Sequence, residues 1–332
     1  METRMFGRSG LRISVLGFGC GAVGGLMVRG AAADQDRAIG LALAAGVNYF
    51  DTAVQYGNGQ SETNLGHVLA AQKPAGVYVG TKVRVPSGSF RDIGGEIARS
   101  IDGSLGRLGM DHVDIFHLHN PITANGGGET LSAAQVRDEI IPAFHKLRDA
   151  GKTRFLGITA VGDTATLQDV IDTEAFDSAQ VSYNMLNPSA ATDLPPHYPA
   201  QDYGRLFDHT RKAGVGVVGI RVLAAGALSG STERHPTASA PPEPIGSAHS
   251  YDMDLERARR LMPLVTEGFA GSLAEAAIRF AISHPAMGTI LVGMATVGEF
   301  EGSLASVPKG PLPPAALDRL NELTAGFVGE PR

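Results

Sequence analysis

Short apolar, β-like runs alternate along the chain with longer amphipathic stretches, and the alternation repeats eight times. The β candidates are Ile13–Leu16, Asn48–Phe50, Val77–Gly80, Val113–Leu118, Arg154–Ile158, Ser178–Val181, Val215–Ile220 and Thr289–Val292. Helical spacing of apolar positions predicts helices over Asp34–Ala45, Phe90–Leu108, Ala134–Ala150 and Ser272–Ser283. Asp34 and Ser272 have side chains suited to capping helix N-termini, and Gly46, Gly109, Gly151 and Gly214 stand where helices should stop. Strand–helix alternation implies a parallel sheet covered by helices. Eight rounds in 332 residues favour one closed (β/α)8 barrel, spanning residues 1–332 as a single domain, over an open sheet or two domains.

Several segments fall outside the alternation. Glu2–Gly10 reads as a short hairpin ahead of the barrel, placed to cover its floor. Pro121–Ser132 and Gly230–Ser250 are Gly-, Pro- and Ser-rich, and both follow β candidates. In a barrel they become extended loops on the C-terminal face, as lids or substrate walls. Pro311–Arg332 is a tail with one short helix, and no solenoid repeat is present.

Composition narrows the partners. Hydrophobic residues make up 43% and charged ones 19%, enough to bury a large core. A net charge of −6 without a Lys/Arg run argues against nucleic acid and anionic membrane as the main partner. Cys20 is the single cysteine, which excludes an internal disulfide and fits a reducing compartment. The N-terminus lacks a signal-peptide pattern and no apolar run is long enough to span a bilayer, so a cytoplasmic location is expected. Oligomeric state is left open.

Barrel enzymes place their chemistry at the C-terminal ends of strands. The second strand runs into Asp51, the third into Lys82 and the fourth into His119, while Tyr56 follows Asp51 in the next loop. Neighbouring strands are about 5 Å apart, so the four side chains can converge. A free phenol has a pKa near 10, too high for efficient proton transfer at neutral pH. An ammonium at Lys82 would lower it. Asp51 would hold Lys82 in place, and His119 would orient a substrate oxygen. One Asp, Lys or His at a strand end is ordinarily structural; their joint placement on adjacent strands is what carries the signal. Such a cluster supplies the proton of a carbonyl reduction, and the hydride must come from a cofactor.

Here the sequence resembles the aldo-keto reductase family. Asp51–Gly66, DTAVQYGNGQSETNLG, is similar to that family's signature. GTKV around Lys82, VDIFHLHNP around His119, GKTRFLGIT from Gly151 and AQVSYN around Gln180 follow in the family's order, from about Phe6 to Ser306. The resemblance implies a barrel that binds an extended NAD or NADP without a Rossmann domain, with Asp51, Tyr56, Lys82 and His119 as the catalytic set. It also implies nicotinamide contacts at Asp51, Thr159, Gln180 and the backbone near Cys20 and Gly21. The pyrophosphate is expected under the loop Arg221–Gly230, including Leu223 and Gly226, and the adenosine end along Gly293–Ser303.

Departures from the family pattern shape the expected site. Ala160 stands where Asn or Arg is usual, and Ile220 replaces an aromatic that commonly stacks on the nicotinamide. Arg221 is unusual at its position and could pair with the pyrophosphate. GMATVGEFEGS offers no basic residue for a 2′-phosphate, and Glu299 falls at the contacting position. A carboxylate repels phosphate but accepts a hydrogen bond from a free 2′-hydroxyl, so NAD is favoured over NADP. Asn120, and the absence of Trp, suggest a polar pocket for a sugar, polyol or related hydroxylated compound. Oxidation of an aldose to a lactone is then one expectation, with NADPH-dependent aldehyde or ketone reduction as the alternative.

Three rival readings carry less. Gly19-Cys20-Gly21-Ala22-Val23-Gly24 matches G-x-G-x-x-G, but Leu26–Ala33 shows no capped amphipathic helix to complete a Rossmann unit. His117 and His119 share a strand face as a metal pair would, yet the strands 5, 6 and 7 carry no further His, so no metal site is expected and His117 reads as a core residue. Cys20 has no paired base to make it a nucleophile. A cofactor-binding regulatory barrel without turnover is a fourth possibility, against which the complete catalytic set argues.

Overall fold

A computed structural model describes residues 1–329. Eight parallel strands close into a barrel, each followed by a helix on the outside. In chain order the strands are β1 (Leu16–Gly19), β2 (Tyr49–Asp51), β3 (Tyr78–Val83), β4 (Val113–Leu118), β5 (Thr153–Thr159), β6 (Ser178–Ser182), β7 (Gly216–Ile220) and β8 (Met287–Gly293). Each pairs with its sequence neighbours, and β8 pairs with β1 to close the ring. The strands are buried on both faces; every residue of β4 is buried, which is why it reads as a continuous run without alternation. The outer helices are α1 (Ala32–Ala44), α2 (Gln60–Gln72), α3 (Ile93–Leu108), α4 (Ile141–Asp149), α5 (Thr164–Asp172), α6 (Leu206–Lys212), α7 (Leu273–Ser283) and α8 (Val297–Ser306).

Two cores result. The larger lies between sheet and helices; the smaller lies inside the barrel and joins Phe6, Leu11 and Ile13 to Tyr49, Ile115, Val218 and Leu291. The hairpin therefore plugs the floor. Phe6 fits there only because Gly216 and Gly288 lack side chains: a Cβ at either would stand 2.6 or 2.7 Å from its ring. Gly80 makes the same allowance for Tyr49, whose hydroxyl oxygen would be 2.5 Å from an added Cβ.

Several boundaries differ from the sequence expectation. The hairpin is not confined to Glu2–Gly10: Thr3–Met5 pairs antiparallel with Arg12–Ser14. Ile13–Leu16 thus straddles the second hairpin strand and the start of β1, two apolar segments with no turn residue between them to mark the division. Asp34 does not cap α1, which starts earlier at Ala32 after Ala31; Asp34 instead sits in the first turn, where its charge suits the helix dipole. α3 starts after Asp92, whose side chain accepts from Gly95 N, so Phe90 lies outside it. Ser272 does cap α7, accepting from Glu275 N.

Ala134–Ala150 is interrupted. A short helix, Ala133–Gln135, leads into a π segment, Val136–Ile140, before α4. Pro142 in the first turn of α4 has no N–H to return to the preceding turn, and a widened turn avoids the ring clash. Leu26–Arg29 forms a four-residue helix after Gly25, with no side-chain cap to mark it in the sequence. In the tail, Pro314–Thr324 is helical, and residues 330–332 lie outside those described.

Candidate active site

β2, β3 and β4 deliver the three polar strand-end residues to one place. Gly19 on β1 is level with Asp51 on β2, Asp51 with Gly80 on β3, and Lys82 with His117 on β4, so His119 stands one pleat further toward the C-terminal face. Lys82 is fully buried; its ammonium donates to Asp51 Oδ1 and, at 2.7 Å, to Thr52 O. Asp51 Oδ2 accepts from Tyr49 Oη (3.0 Å) and Gln180 Nε2 (2.7 Å), so both carboxylate oxygens are fixed. Tyr56 lies above, with Lys82 Nζ 4.8 Å from its ring centroid and the His119 ring edge-on at 5.9 Å.

The Ser-Glu of the signature is structural. Glu62 is fully buried in α2; Oε1 accepts from Thr81 Oγ1 (2.5 Å) and Oε2 from Arg107 Nε (2.7 Å), tying α2 to β3 and α3. Ser61 Oγ donates to Cys20 O, joining α2 to the end of β1.

The electrostatics correct one expectation. Burial raises the Tyr56 phenol above its ordinary value; the Lys82 ammonium acts to lower it, and Asp51 partly cancels that effect. The phenol at rest is therefore protonated. Burial, the largest effect on Lys82, pulls its pKa down, but Asp51 and Tyr56 more than reverse this and keep it charged. Burial, with help from Lys82 and Arg84, holds His119 down to about 3, so its imidazole is neutral at physiological pH. His119 Nδ1 is 3.2 Å from Gln55 Oε1. His117 is fully buried with Nε2 3.0 Å from Ser178 Oγ, inside the barrel. Burial, followed by Asp51, pushes the Cys20 thiol well up, so it is no nucleophile.

Above the cluster opens a cleft of about 330 Å³. Asp51, Tyr56 and His119 line one side; Thr159, Gln180, Ile220, Arg221, Gly21 and Gly293 line the rest. The profile of the Aldo/keto reductase family matches residues 15–325. The chain belongs to this family. L-galactose dehydrogenase of Arabidopsis thaliana is 31% identical over 314 residues, covering 92% of this chain and 88% of that protein. Pyridoxal 4-dehydrogenase of Microbacterium luteolum is 26% identical over 329 residues, covering 88% and 89%. The fold is shared with the holo form of aldo-keto reductase AKR11C1 from Bacillus halodurans, at a TM-score of 0.71 and 23% identity over 99% of this chain and 98% of that one.

Against the aldo/keto reductase pattern, the expected cofactor residues divide into two groups. Gly21, Asp51, Thr159, Gln180, Ile220, Arg221 and Gly293 share the cleft, whereas Cys20, Leu223, Gly226, Glu299 and Ser303 do not line it. Cys20 is buried, with its backbone N–H donating to Asp51 O. Arg221, Ala224, Ala225 and Gly226 all have positive φ, so the loop after β7 makes a tight left-handed turn. Glu299 is exposed in the first turn of α8, where Oε2 accepts from Ala295 N (2.7 Å), and Ser303 Oγ donates to Glu299 O (3.0 Å). The reactive end of a dinucleotide fits here: glycine backbone at positions 19, 21 and 293 permits close approach, and the Thr159 hydroxyl and Gln180 Oε1 share only a 3.5 Å contact, leaving capacity to bind a carboxamide.

The loops lie as the barrel topology requires. The segment 230–250 crosses the mouth, with Ser239 N donating to Val23 O and Arg29 Nε to Thr237 O, and Ile245 lines the cleft. Asn120 overturns an expectation. Its amide is spent on backbone, with Nδ2 donating to Val85 O and Glu129 O and Oδ1 accepting from Val85 N, so it contributes no polarity to the pocket. Sequence reasoning also missed Arg84, an exposed residue that lines the cleft beside His119. Its spacing of two from Lys82, on the same strand face, was the available signal.

Proposed function

We propose that this aldo/keto reductase interconverts a carbonyl and an alcohol on a small hydroxylated substrate. The observation that carries the reading is the buried Lys82–Asp51 pair directly beneath Tyr56, at the floor of a cleft walled by Thr159, Gln180 and glycine backbone. A bound nicotinamide supplies or takes up hydride, which no side chain can do.

The chain's own residues handle the rest. Tyr56 donates its proton to the substrate oxygen in reduction and takes one from the alcohol in oxidation. Lys82, held by Asp51, stabilises the phenolate left after donation. His119, neutral and at the cleft wall, hydrogen-bonds the same oxygen and orients it. Thr159 and Gln180 would hold the carboxamide, and Arg221 would meet the pyrophosphate.

NAD is the favoured cofactor, because the exposed Glu299 carboxylate disfavours a 2′-phosphate and the GMATVGEFEGS segment carries no cation to offset it. The hydroxylated substrate is supported by two relatives named for dehydrogenation of hydroxylated compounds, L-galactose dehydrogenase and pyridoxal 4-dehydrogenase. Aldehyde reduction is the second reading, favoured by the protonated resting state of Tyr56. The test follows reduced-nicotinamide absorbance with NAD and NADP against aldoses, alcohols and aldehydes. The reading expects turnover with at least one hydroxylated substrate and a higher kcat/KM for NAD. Cofactor binding without turnover of any class would contradict it.

A further inference from the structure

The charge lining the cleft does not match the charge of the chain. The protein as a whole carries −6. The cleft, however, is lined by two arginines, Arg84 and Arg221, and by one carboxylate, Asp51, which is already committed to Lys82. Arg84 follows β3 and Arg221 follows β7, strands that lie on opposite sides of the closed ring. The two guanidiniums therefore serve different parts of whatever fills the space. Arg221 shares its side with Thr159, Gln180 and Gly293, the residues proposed to hold the dinucleotide. Arg84 shares its side with Tyr56 and His119, where the substrate must sit.

The backbone that carries Arg84 is also held in place. The strand face that points Lys82 into the site brings Arg84 over it one pleat higher. Asn120 clamps the next residue by both its N–H and its C=O (2.8 Å each), which pins the backbone that carries Arg84 beside His119. Glu129, in the loop after β4, accepts a hydrogen bond from Ser87 Oγ at 2.9 Å. Among the described residues no carboxylate lies within ion-pair distance of Arg84, and its side chain remains exposed to the cleft. A cation anchored at its backbone, left without an anion and set in a concave mouth is a recognition group for a negative charge.

We propose that Arg84 selects substrates bearing an anionic group, a carboxylate or a phosphate, at the end remote from the reacting carbon. The proposal rests on the oxidoreductase reading above and adds the substrate's charge to it. Tyr56 and His119 hold the oxygen at the reacting carbon, and the Arg84 guanidinium, on the same side and one pleat nearer the solvent, meets the anionic oxygens of the substrate's outer end. The fork of N–H donors suits either planar carboxylate or phosphate.

The test compares substrate pairs that differ in charge: 4-oxobutanoate against butanal for carboxylate, and glyceraldehyde 3-phosphate against glyceraldehyde for phosphate. The proposal expects kcat/KM at least about tenfold higher for the charged member of one pair, as a charge-assisted fork gives. The pair that shows the preference identifies the anion. The preference should shrink at high ionic strength, collapse toward unity in Arg84→Gln and be largely kept in Arg84→Lys. A merely structural role would lower both members of a pair alike and leave the ratio in place, which would overturn the proposal while the oxidoreductase reading stood. Calorimetric titration with succinate, an unreactive dianion, separates the two claims. Binding to the wild type but not to Arg84→Gln, with no turnover of any aldose, alcohol or aldehyde, would uphold the anion site and defeat the oxidoreductase reading. Equal binding to both proteins would overturn the anion site.

Discussion

Replacing Lys82 with Met removes a cation that is fully buried and leaves Asp51, 3% exposed at its side chain, facing only Tyr49 and Gln180. Two neutral hydrogen bonds do not compensate a buried carboxylate. Breaking a buried ion pair by deleting one partner costs about 3–5 kcal/mol. For a chain of this length the entropy of unfolding is about 0.7 kcal/mol per degree, so the midpoint of thermal unfolding should fall by about 4–7 °C. The second variant, Asp51→Asn combined with Lys82→Met, removes both charges and keeps the shape. It should regain at least about 2 kcal/mol over Lys82→Met alone, because the penalty lies in the orphaned charge more than in the lost attraction. Turnover behaves differently. Both variants lose the ammonium that stabilises the Tyr56 phenolate, so both should be slower by about 10²–10⁴-fold. Calorimetric melting and steady-state kinetics on the three proteins decide the matter. A Lys82→Met protein within about 1 kcal/mol of wild type, or a double variant no more stable than the single, would refute the reasoning.

Two further outcomes follow from the same geometry. Glu62→Ala should cost about 3 kcal/mol, by leaving Thr81 and Arg107 without their acceptor, and should lower the melting midpoint by about 4 °C while leaving KM for the cofactor within about twofold, since Glu62 joins α2 to β3 and α3 and does not line the cleft. In the pH profile, His119 is held down to about 3 and stays neutral throughout the physiological range, and the Tyr56 phenol is held above its ordinary value and stays protonated. Reduction, which needs the protonated phenol, should thus be level between about pH 5 and pH 8, and oxidation, which needs it ionised, should rise with pH; an inflection of reduction near the ordinary histidine value would contradict this assignment.

The convergence of Asp51, Lys82 and His119 was legible because strand ends and charge types coincide: the three close adjacent buried runs, and the ordered motifs around them resemble one family. β4 was read with the observed limits because Val113–Leu118 is apolar on both faces apart from Asp114 and His117. The N-terminal strands were harder. β1 is Leu-Gly-Phe-Gly, whose two glycines weaken any strand signal, while Ile13–Val15 before it looks more strand-like and belongs partly to the hairpin. The π segment needed the position of Pro142 relative to the whole helix, which local propensity does not report. Asn120 misled because a polar residue next to His119 looks like pocket lining. Its partners, Val85 and Glu129, are loop backbone brought near by the pairing of β3 with β4 and the fold of the loop after β4, and leave no periodic trace in the sequence. The ionisation of Tyr56 was expected in the wrong direction for a related reason: the Lys82 charge is visible from sequence, but the burial that outweighs it is not.

In the proposed reaction the Tyr56 hydroxyl carries the proton. Its most direct test is Tyr56→Phe, which deletes one oxygen atom and keeps the ring packed against His119. Cofactor dissociation constants and kcat should be measured side by side on a substrate that the wild type turns over. If the hydroxyl carries the proton, kcat should fall about 10²–10⁴-fold with cofactor affinity within about twofold. Turnover equal to wild type in that variant would contradict it.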